Sequence, residues 1–172
     1  MPGVDRDGAA ALRIGDVARA AGVGAGTIYR GFGSKRDLLL ELVGERERAL
    51  QDAVISGPPP LGPGAPAGER LVAFLLALSD LVGDHRELLL AADESSPLAR
   101  FGQATHAGWH QHTAILLRQL HPRADALVLA DLVLAAFTAG LHVHLLDDRG
   151  LDPDTLRAEI ERYARLLSGG SR

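Results

Sequence analysis

The stretch from Ile14 to Lys35, IGDVARAAGVGAGTIYRGFGSK, constrains the fold more than any other part of the chain. Ile14, Val17, Ala18 and Ala21 recur at i, i+3, i+4 and i+7, so they form one apolar stripe on a short helix. Gly22 ends that helix, since glycine accepts the left-handed conformation a helix C-terminus commonly needs, and Val23 can plug the corner that follows. A second short helix is expected from Ala25 to Phe32, with Ile28 and Phe32 one turn apart on its inner face. Two short helices meeting at a glycine, with small Ala18 at their crossing, predict a helix-turn-helix. The outward residues of the second helix, Thr27, Tyr29 and Arg30, all carry donors suited to phosphates or base edges. Ser34-Lys35-Arg36-Asp37 then has the form of a capping box. Ser34 caps the next helix, and its free backbone N–H groups together with Lys35 offer a seat for a DNA phosphate.

Charge is distributed in a way that suits this reading. The whole chain of 172 residues carries a formal net charge of −4. From Arg13 to Arg48, however, seven Lys or Arg stand against five Asp or Glu, a local +2, while ten stand against fourteen after Asp52. A basic head on an acidic body fits a DNA reader whose other end faces small molecules and a partner subunit. The absence of cysteine excludes disulfides and thiolate metal sites and is compatible with a reducing cytoplasm, the expected location.

The window resembles the DNA-binding segment of the TetR family of one-component bacterial regulators. The residues that carry the resemblance are Val17-Ala18, Ala20-Ala21-Gly22-Val23, Gly26-Thr27-Ile28-Tyr29-Arg30, Phe32, Ser34-Lys35 and Leu38. It is specific over residues 14 to 42; beyond them it rests on helix order and length. It implies that Thr27, Tyr29 and Lys35 touch DNA, and that a ligand in the body changes the separation of two heads and releases the operator. Three positions depart from the family pattern: Gly24 replaces a capping Ser or Thr, Ala25 a basic residue, and Gly31 a His or Tyr. In that family a full helix also precedes the two-helix unit. The first twelve residues, MPGVDRDGAAAL, have no signal-peptide pattern and are too few for it, so either the natural start lies upstream of Met1 or the head lacks that helix.

The remainder reads as helical throughout, with no alternating strand pattern. A long helix is expected from Asp37 to about Ile55, with Leu39, Val43, Leu50 and Val54 along one side. GPPPLGPGAPAG, residues 57 to 68, reads as a mobile linker because its prolines lack N–H donors. Leu71, Phe74, Leu75, Leu78, Leu81 and Val82 then make a core-facing stripe, and Asp84 with Glu87 signals a new start. Further helices are expected from Pro97 to Leu120, from Ala124 to Leu146, and from the Asp152 cap and Pro153 to about Gly169. The Ala124–Leu146 helix is apolar on nearly every side. A membrane span is disfavoured, since Asp131 alone costs about 2.5 to 3.5 kcal/mol near a bilayer centre. Burial against the body and a second copy, in a four-helix bundle with the last helix, explains it better.

The expected architecture is therefore all-α: a helix-turn-helix DNA-binding head, residues 1–44, and a helical ligand-binding and dimerisation body, residues 45–172. Phe74, Phe101, Trp109 and Phe137 either line a cavity for an apolar ligand or simply fill the core, with His106 and His110 supplying polar contacts in the first case. His106 and His110, one turn apart, have a metal-compatible spacing, as His142 and His144 add imidazoles. No carboxylate at fixed spacing completes a ligand set, so pocket lining or carbonyl capping is favoured and no metal or cofactor is implied. Asp93-Glu94-Ser95-Ser96 reads as the polar end of a helix. No phosphate loop, dinucleotide fingerprint or nucleophile elbow is present, and the chain is not expected to be an enzyme. The expected partners are double-stranded operator DNA, an unidentified small-molecule effector and a second copy. The alternative is a dimeric small-molecule-binding module of the same fold that no longer holds DNA.

Overall fold

A computed structural model describes residues 18–19, 22–32, 35–95 and 104–169. Helices account for its regular structure, and no strand occurs among the described residues. In chain order they are α1 Ala25–Phe32, α2 Lys35–Ser56, α3 Ala67–Asp84, α4 Arg86–Ser95, α5 Ala104–Leu120, α6 Ala126–Ala135, α7 Ala139–Val143 and α8 Pro153–Leu167; α7 continues into a π-helical turn, His144–Asp148.

The apolar stripe of α3 explains why the other helices gather around it. Leu71, Val72, Phe74, Leu75, Leu78, Leu81 and Val82 are all buried, spaced so that they cover about half of the circumference. α3 consequently packs against α2, α4, α5, α7 and α8. Val43, Leu50 and Val54 of α2 enter the core from one side, Ala114, Leu116 and Leu117 of α5 from another, and Ala164 of α8 from a third. Ion pairs stitch the periphery: Arg86 at the start of α4 forks onto Asp147, with Nε and Nη2 each 2.9 Å from a carboxylate oxygen, and Arg157 of α8 pairs with Asp80 of α3.

Two expectations change. The stretch from 57 to 66 is a compact turn rather than an open linker. Gly57 N–H donates to the Ala53 carbonyl at 3.0 Å, Gly62 N–H to the Pro58 carbonyl at 3.0 Å, and Leu61 packs on the core. Gly62 is buried so tightly that an added Cβ would stand 1.8 Å from the Gly57 carbonyl oxygen, which is why glycine occupies it.

The expected Ala124–Leu146 helix is broken. Asp125 caps α6 by accepting from Leu127 and Val128 N–H, α6 stops at Ala135, and Thr138 starts α7 by accepting from Leu141 N–H at 3.2 Å. Residues 126–148 are long and apolar enough to cross a membrane by length and composition, with mean hydropathy 2.0. Yet Ala126, Ala130, Val133 and Leu134 are packed into the core, and the interruption at 136–138 gives the stretch two caps. The last helix follows expectation, with Asp152 Oδ2 accepting from Thr155 N–H at 3.0 Å and Pro153 in its first turn.

Candidate functional site

The turn at Gly22 is built as its sequence requires. Gly22 has φ +67°, Gly22 N–H donates to the Arg19 carbonyl at 3.2 Å, and Val23 N–H donates to the Ala18 carbonyl at 2.9 Å. That pair of bonds is the Schellman closure of a helix, which satisfies carbonyls the helix end leaves free. Ala18 is buried at the crossing. α1 then starts with Thr27 N–H donating to the Gly24 carbonyl at 2.8 Å; Gly24 itself brings no side-chain cap.

Gly26, Thr27, Arg30 and Gly31 are all exposed, so α1 presents one continuous free side that carries a hydroxyl and a guanidinium. Tyr29 lies within α1 and Lys35 is the first residue of α2, which places both at the expected positions of the backbone. Ser34, Ile14, Val17 and Ala21 lie outside the described residues.

A second concavity lies in the body, about 330 Å³ in volume, between α2, α3 and α5. α2 contributes Gln51, Val54 and Ile55 at i, i+3 and i+4, α5 contributes Gly108, Gln111, His112 and Ile115 with Trp109 beside them, and α3 contributes Arg70. At Gly108 the Gln51 amide nitrogen lies 3.7 Å from where a Cβ would stand, an ordinary contact between α5 and α2. Trp109 and His112 border this cleft. Phe74 is fully buried behind them, its ring edge-to-face with His112 at 4.9 Å between centroids, and Phe137 is a core residue. Phe101 lies outside the described residues. His106 is on α5 but off this wall. Arg70 and Gln51 escaped the sequence reading; the signal for each was a core residue one turn on along its helix, Phe74 at i+4 from Arg70 and Val54 at i+3 from Gln51.

The histidines are mostly tied to structure. His110 Nε2 faces two acceptors, the Leu127 carbonyl at 3.1 Å and Asp131 Oδ1 at 3.2 Å, so that nitrogen carries the proton and joins α5 to α6. His142 is buried, with Nδ1 donating to the Thr138 carbonyl at 3.0 Å and Nε2 left to accept from the Ser79 hydroxyl at 3.1 Å. His121 caps a carbonyl of α8, Leu167, at 2.5 Å. Among the described residues no group of three His, Asp or Glu side chains is placed to hold a metal ion.

Burial, helped by the nearby Arg70 charge, pushes His112 down to about 4 from its ordinary 6.5, and burial also lowers His142. The folded protein thus refuses protons that the unfolded chain accepts between pH 6.5 and 4. Stability is expected to fall as pH drops through that window and to be indifferent to these rings above it. Urea unfolding at pH 7.5 and pH 5 checks this: the midpoint should be lower at pH 5, by less in His112→Phe. A midpoint unchanged or higher at pH 5 contradicts it.

No curated protein matches the chain. The family model described as "Bacterial regulatory proteins, tetR family" matches residues 5–42. The match covers the Gly22 turn, α1 and the first part of α2, and it reaches back nine residues before Ile14, where the sequence resemblance began. The head, residues 5–42, is thus of the kind described for bacterial regulatory proteins of the tetR family, and it supports a DNA-binding transcriptional regulator.

Proposed function

We propose that this protein is a non-enzymatic repressor that leaves its operator when a small molecule occupies the body. The observation that carries the reading is α2. It runs without interruption for 22 residues, from Lys35 beside the DNA-reading helix to Gln51, Val54 and Ile55 on the wall of the cleft. A helix rising 1.5 Å per residue spans about 30 Å between those ends, so a ligand that shifts the cleft wall tilts the head. The head, residues 1–44, and the body, residues 45–172, thus share one helix across their boundary.

The reading places Thr27, Tyr29 and Arg30 toward the groove, with Ser34 and Lys35 against a phosphate. It also requires two heads, hence a homodimer in the cytoplasm and no membrane. The outer face of α6 supports that: Leu127, Val128 and Leu132 are 49, 52 and 64% exposed, and with Asp131 and Ala135 they form one stripe. A second copy laid on this stripe would bury what one subunit leaves open. Leu166 on α8 is likewise 63% exposed.

A second reading keeps the dimer and the ligand but not the DNA. It is favoured by exposed Gly24 and Gly31, which offer the operator no side chain. Titration of labelled DNA from immediately upstream of the coding sequence separates the two. Tyr29→Ala is expected to weaken binding by about 1 to 3 kcal/mol and to relax sequence preference. Lys35→Ala should weaken it evenly across sequences and lower the salt slope by about one. No binding by the folded wild-type chain would favour the module that no longer holds DNA.

A further inference from the structure

Among the described residues, three buried side-chain atoms lack any hydrogen-bond partner: Arg70 Nε, Trp109 Nε1 and His112 Nε2. All three side chains line the same cleft. An unsatisfied buried polar group is costly, so three of them on side chains that line one cleft mark it as a candidate recognition site.

Their chemistry narrows the occupant. Trp109 Nε1 and the guanidinium of Arg70 can only donate, and the neutral His112 ring can present Nε2–H as a third donor. Arg70 makes one long contact, Nη2 to the Val54 carbonyl at 3.4 Å, and among the described residues no carboxylate pairs with it. A neutral acceptor would leave that half-buried charge uncompensated; a carboxylate would neutralise it and accept two parallel bonds from the fork. Val54, Ile55, Ile115 and the Trp109 ring supply apolar walls, while Gln51 and Gln111 are exposed at the rim. The volume, about 330 Å³, admits a one- or two-ring molecule.

We propose that the cleft binds a small aromatic carboxylate, its anionic end held by Arg70, Trp109 and His112 and its ring by Val54, Ile55 and Ile115. The three nitrogens lie just beneath the wall, so the carboxylate is met as these side chains turn toward it. The inference rests on the reading of the body as the effector-binding part and names the effector's class.

Calorimetric titration of the full chain with 2-naphthoate and with 2-naphthamide, equal in shape and different in charge, tests it. The carboxylate should bind at least tenfold more tightly than the amide. Arg70→Met should erase that preference and leave amide affinity within about twofold, a difference set by the charge-assisted bonds alone. Arg70→Lys, which keeps the charge and loses the fork, should retain part of the preference and serves if Arg70→Met does not fold. Equal affinities, tighter binding of the amide, or no heat from either compound at millimolar concentration overturns the proposal. DNA binding measured in parallel separates this outcome from that of the repressor reading. Amide-preferring binding that releases DNA would leave the effector reading standing and remove the carboxylate. Carboxylate binding without any effect on DNA would establish the site and remove ligand-controlled release.

Discussion

Phe74→Ala is expected to lower the unfolding free energy by about 3 to 5 kcal/mol, a loss that takes a large share of the 5 to 15 kcal/mol typical of a domain. Phe74 is fully buried at the middle of α3, the helix against which α2, α4, α5, α7 and α8 all pack. Its removal opens a cavity where those helices meet, and the rigid backbones around it cannot close in to fill the space. The His112 ring also loses its edge-to-face partner, so the cleft wall should loosen with the core. Trp109 is the single tryptophan and stands next to that wall, so its emission should shift together with the urea midpoint. A cost below about 1 kcal/mol, with unchanged emission, would show that α3 is not the centre of the core.

The second large effect concerns the shared helix. Gly44 lies in the interior of α2, between the head and the residues Leu50 and Val54 that anchor the helix to the core. Proline there removes an intrahelical bond and clashes with the carbonyl of residue 40, at a cost of about 3 kcal/mol or more. Because Val43 on one side of Gly44 and Leu50 and Val54 on the other are held in the core, a break at Gly44 should bend α2 where the head leaves the body. Gly44→Pro is therefore expected to reduce operator affinity at least tenfold and to abolish its response to any ligand, while the body still unfolds cooperatively. Gly44→Ala is the control. An added Cβ meets only the flexible end of Arg48, at 3.5 Å, so alanine should keep DNA binding and stabilise α2 by up to about 1 kcal/mol. Gly44→Pro with wild-type affinity and wild-type ligand response, measured by anisotropy on labelled operator, would contradict transmission through α2.

The parts of this molecule that were legible in the sequence are those set by local chemistry. Gly22 signals its own positive φ, and the Schellman bonds at Ala18 and Arg19 follow from it. Asp152-Pro153 marks a helix start because an acceptor cap and a missing N–H are both wanted there. The stripe from Leu71 to Val82 is buried as its spacing demands.

What the sequence hid depends on neighbours distant in the chain. The interruption at 136–138 is set by the Thr138 cap inside an apolar run that has neither proline nor a reciprocal Glu or Gln to betray it. The compactness of residues 57–66 depends on Gly62 meeting the Gly57 carbonyl, a contact that composition alone reads as looseness. Arg70 reads as an ordinary surface cation near a helix start; only the packing of α2 and α5 around it makes it a wall of the cleft. Conversely, Phe74 and Phe137 could line a cavity or fill a core from sequence, and the approach of five helices to α3 puts Phe74 in the core.

The central claim is that the exposed side of α1 and the start of α2 read DNA on behalf of the body. The most direct measurement is the affinity of the full chain for a labelled duplex from immediately upstream of its coding sequence, followed as salt rises from 50 to 200 mM. The account predicts binding at low salt that weakens linearly in log–log form, with a slope that reports the phosphates neutralised, and stronger binding than to an unrelated duplex of the same length. A folded protein, verified by circular dichroism, that binds neither duplex at 50 mM salt would contradict it.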